Sequence, residues 1–226
     1  MIPPQRLAMN LTDRVAADFV RAQTTLGATP FLPEIWLHLA ADAFGLWEET
    51  ERELGATIAA PPFWAFPWAG GQALARYVLD HPEVVAGRRV LDLAAGSGLV
   101  AVAAAKAGAA GVTANEIDGY ALAAIPLNAS VNDVRVAVRA GDLLDGDPAG
   151  AQVVLAGDVF YSRDMAGRML AFLDRARDSG ADVLVGDPGR AYLPRHRLAE
   201  ITSYEVPVIR ALEDADTKHA TVWRLR

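Results

Sequence analysis

Three short segments, "VLDLAAGSG", "ANEID" and "AGDLL", each close an apolar run on an acid: Asp92, Glu116 and Asp142. The first also carries Gly96 and Gly98 ahead of an alanine-rich stretch, the pattern of a strand, a glycine turn and a helix start. Such turns hold nucleotide-like ligands. A dinucleotide fingerprint needs G-x-G-x-x-G, and those places fall here on Ala94, Gly96 and Leu99. A phosphate loop fails as well, because no Gly-Lys-Ser/Thr follows. The register that fits begins with the acid, Asp92-x-Ala94-x-Gly96-x-Gly98. A carboxylate buried just before the glycines is badly placed beside a pyrophosphate and well placed beside an ammonium group. S-adenosylmethionine carries one, with a ribose and an adenine, and the two glycines let the backbone approach its methionine part. Glu116 then suits the ribose hydroxyls and Asp142 the adenine amino group, with Ile117 and Leu143 beside them. Each acid alone reads equally as an ordinary cap or turn residue. Three at successive strand ends point to one ligand.

A fourth acidic turn, "GDVFYS", ends the next apolar run, where the sulfonium methyl is expected. Methyltransferases of planar base amines often place Asn/Asp-Pro-Pro-aromatic there, and this chain lacks the prolines. Asp158 with Phe160 and Tyr161 can instead bind a lysine ammonium by charge and cation–π contact. The amine must lose a proton before it attacks in line, which desolvation favours and Asp158 can assist. Phe160 reads equally as a core residue. The chain has no cysteine, and its four histidines, His38, His81, His196 and His219, show no ligand spacing, so no metal is expected.

These turns must stand at strand ends. From Arg89 onward, apolar runs alternate with helical segments: strands at "RRVLDLA", "GVTANEID", "VRVAVRAGDLL", "AQVVLAGDVFYS" and "ADVLVGDPGR", then two closing runs, "ITSYEVPVIRAL" and "HATVWRLR", that suggest an edge hairpin. That is an α/β chain with a mostly parallel seven-stranded sheet and helices on both faces, and it resembles the Rossmann-like class I methyltransferase architecture. Its acids sit at carboxyl ends, where open sheets bind ligands. Ahead of it, residues 12 to 26 predict an amphipathic helix capped by Thr12, with Val15, Phe19, Ala22 and Leu26 on one face. Residues 33 to 54 predict one or two further helices, broken near Gly45, and a short helix follows from about Gln72 to Asp80. The expected division is an N-terminal helical appendage, 1–60, and a donor-binding methyltransferase domain, 61–226. Of 226 residues, 52% are hydrophobic and 22% charged, with a net charge of −7, which disfavours nucleic acid as the main partner. No bilayer-length apolar run and no signal-peptide pattern stand out, so the expectation is a cytoplasmic monomer without membrane attachment.

"PFWAFPWAGGQALARYVLDHP", "VLDLAAGSG", "ANEID", "GDVFYS" and "GDPGR" follow one another at spacings similar to one family, the lysine methyltransferases of the electron-transfer flavoprotein β subunit. The chain also resembles the ribosomal protein L11 methyltransferases. The likeness runs from residue 30 to 190 and weakly into "TVWRLR". It implies S-adenosylmethionine as donor, S-adenosylhomocysteine as product, and protein lysines as acceptors, on the flavoprotein β subunit and on ribosomal protein L7/L12. By position it implies donor binding by Asp92, Ala94, Gly96, Gly98, Glu116 and Asp142, and an acceptor site at Asp158, Phe160 and Tyr161. Trp64, Trp68, Gly70 and Gly71 would form a loop over the methionine end and the lysine channel, Trp64 reading equally as an apolar anchor. Asp187 and Arg190 stand either on the substrate side or in a capping turn. Two departures mark this chain: Ala94 at the first glycine of the donor loop, and Trp36 where the family usually shows a basic residue. Methylation of a small amine or heterocycle, or an activity of the ribosomal protein L11 methyltransferase type, remains the alternative on the same fold.

Overall fold

The computed structural model describes residues 13–55, 57, 62–148 and 150–226. Helix α1 (Asp13–Gln23) buries Ala16, Phe19 and Val20. The expected stripe is corrected: the buried face runs through Ala16, Phe19 and Val20, so Val15 (46%) and Ala22 are exposed, and Leu26 (49% exposed) belongs to the next strand because the helix stops at Gln23. Thr12 lies outside the described residues. Strands β1 (Thr25–Thr29) and β2 (Leu32–Leu39) form an antiparallel hairpin, and helix α2 (Ala43–Leu54) follows. The helices expected over 33–54 are thus a strand and then one helix. Ile35 and Leu37 point inward while Glu34 and Trp36 stay exposed, a period of two. The open side of β2 finds its partners on a later helix: Trp36 N and His38 N donate to Asn132 Oδ1 (3.0 Å) and Asn128 Oδ1 (2.8 Å).

Helix α3 (Ala69–Asp80) leads into the main sheet. Its elements are β3 (Arg89–Leu93), α4 (Leu99–Lys106), β4 (Gly111–Glu116), α5 (Gly119–Val131), β5 (Ala137–Ala140), β6 (Val153–Gly157), α6 (Arg163–Asp178) and β7 (Asp182–Asp187), then β8 (Leu198–Pro207), the one-turn α7 (Arg210–Glu213) and β9 (Thr217–Leu225). The strand order is β5-β4-β3-β6-β7-β9-β8, parallel from β5 to β7, with β9 antiparallel to both neighbours. Both faces are covered, which is why the central strands read as continuous apolar runs. Val90, Val112 and Leu155 pack under α3 and α4, whereas Leu91, Val154 and Val185 pack under α6 with Phe172 and Leu173. Among the described residues no helix is long and apolar enough to cross a membrane.

One contact sets the site. The first turn of α3 lies directly on the ends of β6 and β7, glycine against glycine. A Cβ on Gly186 would overlap the Gly70 carbonyl oxygen, and one on Gly157 would stand 2.8 Å from Gly71 Cα.

Candidate active site

The carboxyl ends of β3, β4 and β6 and the segment after β5 open into one cavity of about 700 Å³. On one half stand Asp92, Ala94, Gly96, Glu116, Ile117, Asp142 and Leu143. Gly98 (φ 77°) caps α4, and a Cβ there would press on Ile125 at 3.2 Å. Ala94 holds φ 55°, a left-handed conformation that costs a non-glycine residue about 1 kcal/mol. Asp92, 1% exposed, accepts from Ala101 N at 2.8 Å. Burial pushes its pKa up to about 8, against that hydrogen bond and with help from Glu116 nearby. Glu116 accepts from Gly96 N (2.8 Å), Ile117 N (2.7 Å) and Asp118 N (3.3 Å), yet burial, then Asp118, still raise its pKa. Asp142 accepts from Leu144 N (2.9 Å) and pairs with Arg168 (2.9 Å). Two buried carboxylates held above their usual range are a natural seat for a cationic ligand. A donor with an ammonium, two ribose hydroxyls and an exocyclic amine fits this set.

On the other half stand Trp64, Trp68, Gly71, Asp158, Tyr161 and Arg190, with Phe63. Asp158 has φ 57° and accepts from Gly71 N at 2.8 Å and from Arg190 Nη2 at 2.7 Å. Burial raises its pKa to about 6, the Arg190 guanidinium opposing. Tyr161 is 45% exposed, with its ring 5.3 Å from that of Phe63. Trp68 Nε1 donates to Phe63 O at 2.9 Å, and the Arg190 guanidinium lies 5.7 Å from its ring centroid.

Four expected site residues stand outside the cavity wall, one of them Gly98, whose φ of 77° serves the cap of α4. Phe160 is fully buried in the layer beneath α6, so its core reading holds. Asp187 accepts from Gly189 N and Arg190 N, both at 2.7 Å, and so is the capping residue of its turn. Gly70 belongs to the close crossing of α3 over β7. Gly70 and Gly71 lie in the first turn of α3 rather than in a loop, because that turn must rest on bare backbone. Trp64, 1% exposed, lines the cavity and packs beside Tyr120, with its Nε1 unpartnered. Reading the sequence missed Asp118, Arg168 and Glu213. Asp118 was legible as the N-cap of α5, accepting from Tyr120 N at 2.7 Å. Arg168 and Glu213 leave no local signal.

The strand order, with a glycine loop after β3 and acids at successive strand ends, defines a class I methyltransferase. TrmN from Thermus thermophilus shares the fold, with a TM-score of 0.51 at 19% identity over 80% of this chain and 66% of that one. A model of the ribosomal protein L11 methyltransferase (PrmA) family matches residues 72–157. The electron transfer flavoprotein beta subunit lysine methyltransferase of Xenopus laevis is 34% identical over 99% of this chain and 90% of its own length. Its Danio rerio counterpart is 36% identical over 85% and 76%. The chain belongs to the electron transfer flavoprotein beta subunit lysine methyltransferase family. It is an enzyme, and S-adenosylmethionine is its methyl donor.

Proposed function

We propose that this enzyme methylates the ε-amine of a lysine on the electron-transfer flavoprotein β subunit. The observation that carries the reading is the convergence of Asp158, Tyr161, Trp68 and Arg190 on the cavity that holds Asp92 and Glu116. The PrmA-family match, residues 72–157, stops short of Asp158 and Tyr161, so it bears on the donor half and leaves the acceptor to the family's full-length members.

In this reading Asp92 takes the donor ammonium, Glu116 the ribose hydroxyls and Asp142 the adenine amine, with Ala94, Gly96, Ile117 and Leu143 as walls and Gly98 turning the loop into α4. S-adenosylmethionine supplies an activated methyl on a sulfonium and leaves as S-adenosylhomocysteine. Asp158 attracts the lysine ammonium, while Trp68 and Tyr161 surround its alkyl chain and exclude water. Desolvation there favours the neutral amine, and Asp158 accepts or relays the proton it sheds. The reading divides the chain near residue 60, with 61–226 as the catalytic domain and the appendage closing the cavity rim through Thr50 and Leu54. It takes the protein to be cytoplasmic and monomeric.

Labelled donor should be offered together with purified flavoprotein, ribosomal proteins L11 and L7/L12, and free amines. Label on a lysine of the flavoprotein β subunit is expected. Label confined to small amines or heterocycles overturns the reading, and label on L7/L12 alone moves the substrate.

A further inference from the structure

Both carboxylate oxygens of Asp158 are already engaged, Oδ2 by Gly71 N and Oδ1 by Arg190 Nη2. The seat expected for the acceptor's ammonium therefore holds a cation of the chain itself. That guanidinium lies 5.7 Å from the Trp68 ring centroid, so it meets a carboxylate and an aromatic face at once, the recognition a lysine ammonium needs. A second carboxylate waits close by. Glu213, buried on α7, lies 3.6 Å from the same Nη2, and its contact with Ala69 N is long at 3.4 Å. Arg190 Nε is buried and has no partner, so the guanidinium keeps donor capacity in reserve.

We propose that Arg190 holds the acceptor's seat on Asp158 while no substrate is present, and that Glu213 receives the guanidinium when the lysine enters. The resident cation keeps a buried carboxylate paired, which otherwise would take up a proton to shed its charge. Glu213 keeps Arg190 paired after the exchange, so no charge is stranded at any stage. Only a cation can complete the swap without stranding a charge, which selects a lysine ammonium over uncharged heterocycles. Arg190 and Glu213 thus act as positioning residues for acceptor entry. The proposal rests on the lysine reading above.

Arg190→Ala, shown to be folded by donor binding, should be assayed with the flavoprotein and millimolar guanidinium chloride. The free cation is expected to fill the vacated seat and inhibit competitively against the acceptor, with wild type far less sensitive. Rescue of the variant by guanidinium makes Arg190 a simple brace for Asp158, and indifference to it empties the seat; either overturns the proposal. Glu213→Gln is expected to raise the acceptor KM about tenfold, with a much smaller fall in kcat. A loss confined to kcat, or no change, counts against it, and this variant decides alone if Arg190→Ala does not fold. Absence of lysine labelling by wild type overturns both readings; an active wild type with failed variants overturns only this one.

Discussion

On the half of the cavity proposed for the donor, the groups that hold Asp92 and Glu116 come from nearby in the chain: Ala101 N reaches Asp92 across 9 residues and Gly96 N reaches Glu116 across 20. On the acceptor half, Asp158 is held by Gly71, 87 residues away, and by Arg190, 32 away, and Glu213 meets Ala69 across 144. Asp92 and Glu116 stand on one strand–turn–helix unit and its neighbour, so their seat forms wherever those segments fold, and only Asp142 draws on a distant helix through Arg168. The acceptor half exists only when α3, β6, β7 and α7 have closed on one another. In the proposed reading, the donor's seat is thus built locally, and the part that chooses the acceptor is built from distant parts of the chain.

If the halves are separable, single changes should injure one and spare the other. Asp158→Ala is expected to lower turnover about 100- to 1,000-fold, while donor affinity by calorimetry stays within about twofold. A matching loss of donor affinity would mean that the halves are one. Gly186→Ala, which drives a Cβ into the Gly70 carbonyl, is expected to cost up to about 3 kcal/mol in urea unfolding and to take the acceptor half with it. A cost under 1 kcal/mol would show that the α3 crossing can yield. Asp92→Ala should weaken donor binding about tenfold or more and leave turnover at saturating donor much less affected.

The pH response sharpens the same contrast. Asp92 ionises near pH 4 in the unfolded chain and near pH 8 in the folded one, by the weight of burial. Stability tied to its protonated form is therefore whole below about pH 4 and lost as pH rises through about 8. Asp92→Asn carries no such loss, so without donor its advantage in Tm should widen from pH 5 to 8 and then level off. A gap independent of pH would return Asp92 to an ordinary ionised residue. Smallest of all, Ala94→Gly should relieve the φ of 55° and raise stability by about 0.5–1 kcal/mol.

That Asp92, Glu116 and Asp142 would meet at one cavity was legible because each ends an apolar run next to a turn. The parallel strands β3, β4, β6 and β7 were legible as apolar runs between helical segments, whereas the end of "ITSYEVPVIRAL", expected as strand, forms α7 instead. The hairpin of β1 and β2 was not legible. "PEIWLHLA" suits either period, and what makes it a strand is Asn128 and Asn132, which satisfy its open edge from 90 and 96 residues away. Gly157 and Gly186 looked like strand ends, and only the crossing helix shows why no side chain fits there. Arg190 was visible as a charge near a strand end, but not as the partner of Asp158.

By itself, then, the order of residues determined the sheet, the donor loop and the acids that face it, since periodicity and turn chemistry act between neighbours a few positions apart. Which cation sits on Asp158, which carboxylate waits beside it, and which aromatic rings face the cavity were decided only by the folded chain. Charge pairing depends on distance in space and on exclusion of water, and neither quantity exists until α3, β7 and α7 are packed together.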